Sequence, residues 1–534
     1  MKKIFYYVMA LALGCSQMSC SDLLDQKPQG VLTEDDLTGG TYETQIFNMY
    51  ALLRGYHIVS GNTALAIHGM RSEDAEKGST LSDGSATGKM FDDFEYAASN
   101  GMVKSYWNAN YTLIHKANDV LEEMKSNPSL TGGDLVNKGE ALLMRAFCYF
   151  NLVRAFGEVP LIDFKVGSVA DANIPKSSVA QIYTLIDEDL TNAESYLPRT
   201  WEAQYVGRLS WGAARALHAR TYMMRNDWNN MRAAAEDVIS SGLYNLNTPY
   251  EDILMDDGRT KEEAAADGYY SETGFTSEPR NFSGYPLNAG VYKMYANREM
   301  RFYASVGFNE AVWQALSSST LNNHTAKYYY QDEDGRGGVT ATSPNYPITG
   351  YVIKKYNNPM DAWTGTGARH IQKAYPIIRY AEILLSYAEA LNNLTGPHTV
   401  ELDGQPYTMS RDKEEIKKAF NQVRYRAGLP GLTANQLNST PEVQKQIERE
   451  RMVEFLWENR RFYDVRRWGI YEETEQEPIR GMNPDGATKE TYYQRVIPSS
   501  SSFLTRVVDK RSVWVPIPRN EMRRLPSLDQ NPGY

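Results

Sequence analysis

The sequence predicts an all-α fold, an α–α superhelix of tetratricopeptide-like helical hairpins carrying a large, irregular, loop-rich insertion. Three observations point there. Apolar residues recur at helical spacing through residues 106–156. Small residues crowd the helical segments of 179–240, which short turns join, as stacked repeats require. Between 245 and 370 the periodicity fades, and Gly, Pro, Ser, Asn and Tyr dominate.

The first residues read as an address. Lys2 and Lys3 precede a short apolar run, Ile4 to Leu13, too short to span a bilayer and shaped like a signal peptide. Small residues then lead into cysteine twice, at Cys15 and at Cys20. Both are lipoprotein processing sites in pattern. The first has the better local context, but the chain turns polar after Ser21-Asp22-Leu23-Leu24-Asp25, which favours Cys20 as the acylated residue. Several acyl chains on one cysteine anchor durably where a single chain does not. Residues 1–19 are thus expected to be a lipoprotein signal peptide and 20–40, with Lys27-Pro28-Gln29-Gly30 and Gly39-Gly40, a polar tether.

Residues 41–244 should form the first helical region. Trp107, Tyr111, Ile114, Ala117 and Leu121 share one helical face, as do Leu142, Ala146, Tyr149, Val153 and Phe156. The second helix should stop at Gly157, with Pro160 beyond it. Ile182, Leu185, Ile186 and Leu190 define another helix, ending near Pro198. Ser210 is placed to cap the next, rich in Ala213, Ala214, Ala216 and Ala219, and Asn226-Asp227 turns the chain into Trp228–Ser240, which closes at Gly242. The full tetratricopeptide consensus is absent, and a generic helix bundle is the plainer alternative. Residues 245–370 hold too many aromatics for disorder, and a loop-rich insertion of this length is usually functional. Helices are expected again over 371–394, over about 411–427, and from Thr440, as cap before Pro441, through Trp468. An irregular Pro-rich stretch completes the second helical region, 371–534.

Composition sets bounds on function. A diffuse net charge of −10 disfavours nucleic acid, whose phosphates need a basic surface. Three cysteines cannot make a disulfide framework, and Cys148 in an apolar run reads as a small buried hydrophobe. Tyr outnumbers Phe 37 to 16, and Tyr suits wet binding faces as well as helix interfaces.

Several segments together resemble the SusD-like (SusD/RagB) nutrient-binding outer-membrane lipoproteins of Bacteroidetes. Cys20-Ser21-Asp22-Leu23-Leu24-Asp25 resembles the mature start, and WNANYTLIHKAN over 107–118 the first repeat helix. GEALLMRAFCYFNLVRAFGEVPLI over 139–162, RYAEILLSYAEA over 379–390, NQVRYRAGL over 421–429 and ERERMVEFLWENRRFYDVRRWG over 448–469 match signature stretches. Pro516-Ile517-Pro518 with Glu521, then Gln530-Asn531-Pro532-Gly533-Tyr534, resembles the characteristic final segment. The resemblance implies a tetratricopeptide scaffold whose loops form the ligand face, outer-membrane display facing the cell exterior, and pairing as a hinged lid with a SusC-like TonB-dependent transporter. It implies an oligosaccharide ligand, or peptide as in RagB-type members.

These signatures are mostly structural in character. Arg379, Glu382 and Glu389 should pair between helices. Glu450, Glu454 and Glu458, at steps of four among Arg451, Arg460, Arg461, Arg466 and Arg467, should form an ion-pair network rather than an anion site.

Catalytic motifs are missing: no H-E-x-x-H, G-x-S-x-G, P-loop or paired C-x-x-C occurs, and nothing calls for a cofactor. The sequence therefore reads as a binding protein, with a surface glycosidase as the lesser alternative. Asp332-Glu333-Asp334-Gly335 lacks the spacing of a calcium loop and reads as a solvated turn. A glycan site needs flat rings for C–H faces and planar polar groups for hydroxyls. Candidates in 71–100 are Arg71, Asp74, Phe91, Phe94, Tyr96 and Asn100; in the family's starch-binding prototype the corresponding stretch contributes to the site. Candidates in the insertion are Tyr269, Tyr270, Phe275, Tyr285, Trp313 and Trp363. Trp363, an apolar ring in a polar Gly-rich stretch, is the foremost, whereas Trp313 follows an ordered run and is equally a core residue.

Overall fold

The computed structural model describes residues 41–55, 67–72, 96–248, 291–296, 298–317, 320–338, 346–358, 375–394, 398–402, 405–497 and 506–534, with Phe91, Phe94, Tyr250, Asp361, Ile371 and Lys373 between them. The segments expected to be signal peptide and tether, 1–19 and 20–40, lie outside these residues. Two units divide the chain, 1–48 and 49–534. Of the first only a helical stretch is described, within α1 (Tyr42–Leu53); all that follows concerns the second.

Helix α2 (Gly101–Lys125) begins where the Asn100 side chain accepts the Met102 N–H. Helix α3 (Gly132–Phe156) opens on a reciprocal Thr131–Asp134 capping box. It is buried almost all round from Gly139 on, which marks it as a central element. It ends at Gly157, whose φ of 73° only glycine adopts freely, and the Trp514 indole lies where a Cβ would project. Helices α4 (Val179–Tyr196), α5 (Trp211–Met224) and α6 (Trp228–Ser240) follow. Asn226, at φ 54°, and Asp227, capping Asn230 N–H, make the turn between α5 and α6. Each helix packs on its predecessor from α2 to α6.

The stack resumes with α8 (Tyr380–Asn393), to be followed by α9 (Lys413–Arg426), α10 (Ala434–Leu437) and α11 (Thr440–Glu454). Helix α6 packs on α8, and α8 on α9 and α11. Ala216, Ala219, Ala233, Ala234, Ala235, Ala381 and Ala388 are all buried at these contacts, beside Leu384, Leu385, Leu391, Ile416 and Phe420. Small side chains bring the helix axes close, and the large ones fill the gaps. The fold is mostly helical, a tetratricopeptide-like stack.

Three helix limits differ from expectation. Helix α8 starts at Tyr380 rather than 371, because Pro376 disfavours helix before it and Arg379 is extended (φ −115°, ψ 152°). The Ser439 hydroxyl, not Thr440, caps α11 by accepting Glu442 N–H. The helix expected to reach Trp468 breaks after Glu454, where Trp457 and Asn459 both take φ 60°, and restarts as α12 (Arg461–Arg467).

Between α6 and α8 lie α7 (Met300–Ser305), β1 (Val306–Phe308), β2 (Val312–Ser317), β3 (Thr320–Thr325) and β4 (Tyr351–Ile353). Strand β1 pairs antiparallel with β4, and β2 with β3. A hairpin of β5 (His398–Leu402) and β6 (Gln405–Met409) joins α8 to α9. Helix α13 (Tyr471–Gln476) leads to β7 (Gly481–Met482), α14 (Lys489–Tyr492), β8 (Arg495–Val496) and finally α15 (Arg519–Arg524).

Candidate functional site

The expected network of charges is the best-defined polar feature of the molecule. Glu454 is buried and accepts from Arg301 (3.0 Å), Arg379 (2.8 Å) and Arg426. Glu450 pairs with Arg301 (2.6 Å) and Arg424 (3.1 Å), and Glu458 with Arg379 (2.8 Å) and Lys355. Glu382 joins Arg220 (2.6 Å) to Arg460 (3.1 Å); Arg467 holds Glu389 at 2.7 Å. Burial alone would raise the Glu382 carboxyl, but Arg220 and Arg460 outweigh it and hold the group well below the usual range. These cations are spent on carboxylates. They ties the insertion (Arg301, Lys355) to α8, α9 and α11, and offer no place to an anion.

Five candidates from 71–100, Arg71, Phe91, Phe94, Tyr96 and Asn100, are taken up by the fold. Arg71 is wholly buried between the Phe462 ring (4.0 Å) and the Tyr96 ring (4.9 Å), and donates to the Ser512 carbonyl at 2.8 Å. Tyr96 donates to the same carbonyl (3.1 Å) and stacks on Phe91 at 5.1 Å. Phe94 is buried, with φ 60°. Asn100 is buried as the α2 cap. All five are thus buried in the fold, with Arg71, Phe91, Tyr96 and Asn100 engaged by the intramolecular contacts just given. Asp74, Tyr269, Tyr270, Phe275, Tyr285 and Trp363 lie outside the described residues.

The segment carrying Trp363 has a fixed base. Asp361 is buried; one carboxylate oxygen accepts Ile371 N–H at 2.7 Å and the other pairs with Lys373. Both flanks of 362–370 are thereby pinned. The rest of the insertion is built on aromatic rings. Tyr295, Tyr303, Phe308, Tyr328 and Tyr329 share a core with Met482, Tyr492 and Tyr493, so residues 481–496 belong physically to the insertion. Tyr292 stacks on Tyr493 at 4.1 Å with planes 4° apart. Burial pushes the Tyr295 hydroxyl well above the usual tyrosine range. Trp313 is half-buried, packed over the Gly307 backbone and Val352, with Lys354 Nζ 5.7 Å from the ring centre. It serves as core and rim at once.

A cavity of about 400 Å³ lies among α3, α5, α6 and residues 375–383, lined by Leu143, Phe147, Leu217, Val238, Tyr244 and Ile377 among others. Aliphatic walls of this kind do not suit a hydroxyl-rich ligand. His324, Glu333 and Asp334 come close enough to share a metal ion, with His324 and Glu333 exposed and Asp334 half-buried. Asp334 accepts Lys327 N–H at 3.0 Å and meets His324 Nε2 at 3.0 Å.

Comparison with known proteins decides the family. Residues 217–534 match a family model described as the SusD family, and 24–223 match one described as starch-binding associating with the outer membrane. The chain belongs to the SusD family. It is similar to SusD-like protein P2 of Formosa agariphila, 26% identical over all of this chain and 99% of that protein. A SusD-like protein of Bacteroides fragilis has a similar structure, with TM-score 0.71 and 23% identity over 94% of this chain and 98% of that one. A structure described as a laminarin-binding SusD-like protein aligns with TM-score 0.61 and 20% identity, covering 92% and 99% of the two chains. Among SusD-family features, the signature stretches are the ones accounted for above: they build the helix stack and its buried charges.

Proposed function

We propose that this SusD-family chain captures oligosaccharide or polysaccharide at the outer face of the outer membrane and passes it to a SusC-like TonB-dependent transporter. Lipid at Cys20 tethers it; the scaffold holds the loop-rich face outward; no bond is broken. The observation that carries this reading is the pair of family matches spanning residues 24–534, one of them described as starch-binding and outer-membrane-associated. The laminarin-binding description of a similar structure supports the ligand class. In this reading Trp363, on a segment pinned by Asp361, offers a ring face to a sugar, with Asp74, Tyr269 and Tyr285 supplying further contacts.

Glycan arrays, peptide pull-downs and reducing-end release with the purified chain test the proposal together. Saccharide binding, weakened roughly tenfold or more by Trp363→Ala, with no reducing ends released, is expected. A ring stacked on a ligand is worth about 1 kcal/mol or more. Binding confined to peptides would replace the glycan reading with a RagB-type one, and released reducing ends would replace capture with hydrolysis.

A further inference from the structure

Helix α2 presents Trp107, Asn108, Tyr111, Thr112 and His115 along one stripe, at steps of one, three, one and three. They line a cleft of about 270 Å³, faced across the gap by Glu521 and Arg524 of α15. The floor is aromatic and largely covered, Trp107 and Tyr111 exposing 3% and 7% of their surface. The Trp107 and Tyr111 ring centres are 4.9 Å apart at 42°, and Trp107 is braced edge-on by Phe156 at 5.0 Å. The Tyr111 hydroxyl donates to the Pro160 carbonyl at 2.7 Å, which locks its ring in place.

The polar groups of the stripe are in a different state. Among the described residues, none accepts from the Trp107 indole N–H or bonds to the side chains of Asn108, Thr112 or His115, in contrast to the saturated charges of α8 and α11. Glu521 and Arg524 pair with each other at 2.7 Å, so the opposite wall is charge-balanced, with the Glu521 carboxylate nearly buried and the Arg524 side chain exposed. Burial, reinforced by Arg524 and opposed by Asp119, holds His115 below the usual histidine range. A neutral imidazole gives one donor and one acceptor at pH 7.

A fixed aromatic floor, uncommitted neutral donors and acceptors at the rim and a balanced ion pair opposite are complementary to a small, uncharged, hydroxyl-rich molecule with an apolar face. We infer that this cleft is a second saccharide site, taking one or two neutral pyranose units of a glycan chain, separate from the loop-rich face of the insertion. Its volume is below the ~300–1,000 Å³ of drug-sized ligand pockets, which limits it to a short stretch of chain. A second contact on the same polymer raises the effective concentration at the first, so capture of long glycans gains more than capture of short ones. The inference rests on the glycan-binding reading above.

Calorimetric titration of the full chain with laminarihexaose, maltohexaose and xylohexaose tests it. The expected result is two sites for at least one of these. Thr112→Trp, which fills the cleft, should lower the stoichiometry to one, and so should the surface double variant Asn108→Ala/His115→Ala, which keeps the core intact if the bulkier change unfolds the chain. Trp363→Ala should remove the other site. One site that both cleft variants leave unchanged and Trp363→Ala abolishes overturns this inference alone. No heat with any of the three hexasaccharides overturns it together with the glycan reading.

Discussion

Glu389 sits in the middle of α8 without solvent contact, gripped by Arg467 through both oxygens at 2.7 and 2.8 Å and by the Trp468 indole at 2.7 Å. Burial alone would raise its pKa; Arg467, Arg451 and the Trp468 N–H outweigh that and bring it to about 2. A carboxylate held below its unfolded value of about 4.3 stabilises the fold above that pH, by about 3 kcal/mol here, and loses the contribution as pH falls toward 2. Urea midpoints of the wild type and Glu389→Gln should therefore differ most at neutral pH, with the gap shrinking below about pH 4 to about a quarter of its neutral value at pH 2.5; a constant gap would contradict this account. Glu454 is the more exacting case. Glu454→Ala leaves Arg301, Arg379 and Arg426 around an absent charge, and should cost about 3–5 kcal/mol. A loss under 1 kcal/mol in chemical denaturation would show the network to be dispensable.

At the scale of elements, the break after α11 shows what the sequence could and could not say. The Glu and Arg steps of 448–469 were legible as a partly buried charged helix, and the charges do pair as that pattern requires. The periodicity gave no sign that Trp457 and Asn459 turn left-handed, because the break is imposed by tertiary partners: Asn459 reaches the Tyr375 hydroxyl, and Glu458 must face Arg379 and Lys355. The hairpin β5–β6 was a missed signal of another kind, since Asp403-Gly404 between two alternating runs is a two-residue turn pattern. The candidate site was harder to read. Arg71, Tyr96 and Asn100 have the composition of a sugar site and the burial of a core, and composition does not report which partner a ring has found. The turn between α5 and α6 was read correctly from Asn226-Asp227. Asn226→Ala should cost about 1–2 kcal/mol in thermal denaturation, because alanine pays for φ 54° with a Cβ clash, whereas Asn226→Gly should cost nothing measurable. Equal losses for both would place the cost in the side chain.

For the molecule as a whole, tethering and tertiary closure are the two matters that reach beyond any one element. On the proposed acylation of Cys20, Cys20→Ala should move the chain from the membrane pellet to the supernatant on fractionation; retention in the pellet would overturn that proposal. Closure involves residues far apart in sequence. Val515 N–H donates to the Ala155 carbonyl at 2.8 Å, and the Asn531 amide to the Phe156 carbonyl, 375 residues away, at 2.8 Å, while Trp514 covers Gly157. The last turn of α3 therefore has these carbonyls met by protein, and Gly157 covered, only once residues 514–531 have docked, so the end of this central helix faces water until that distant segment closes over it.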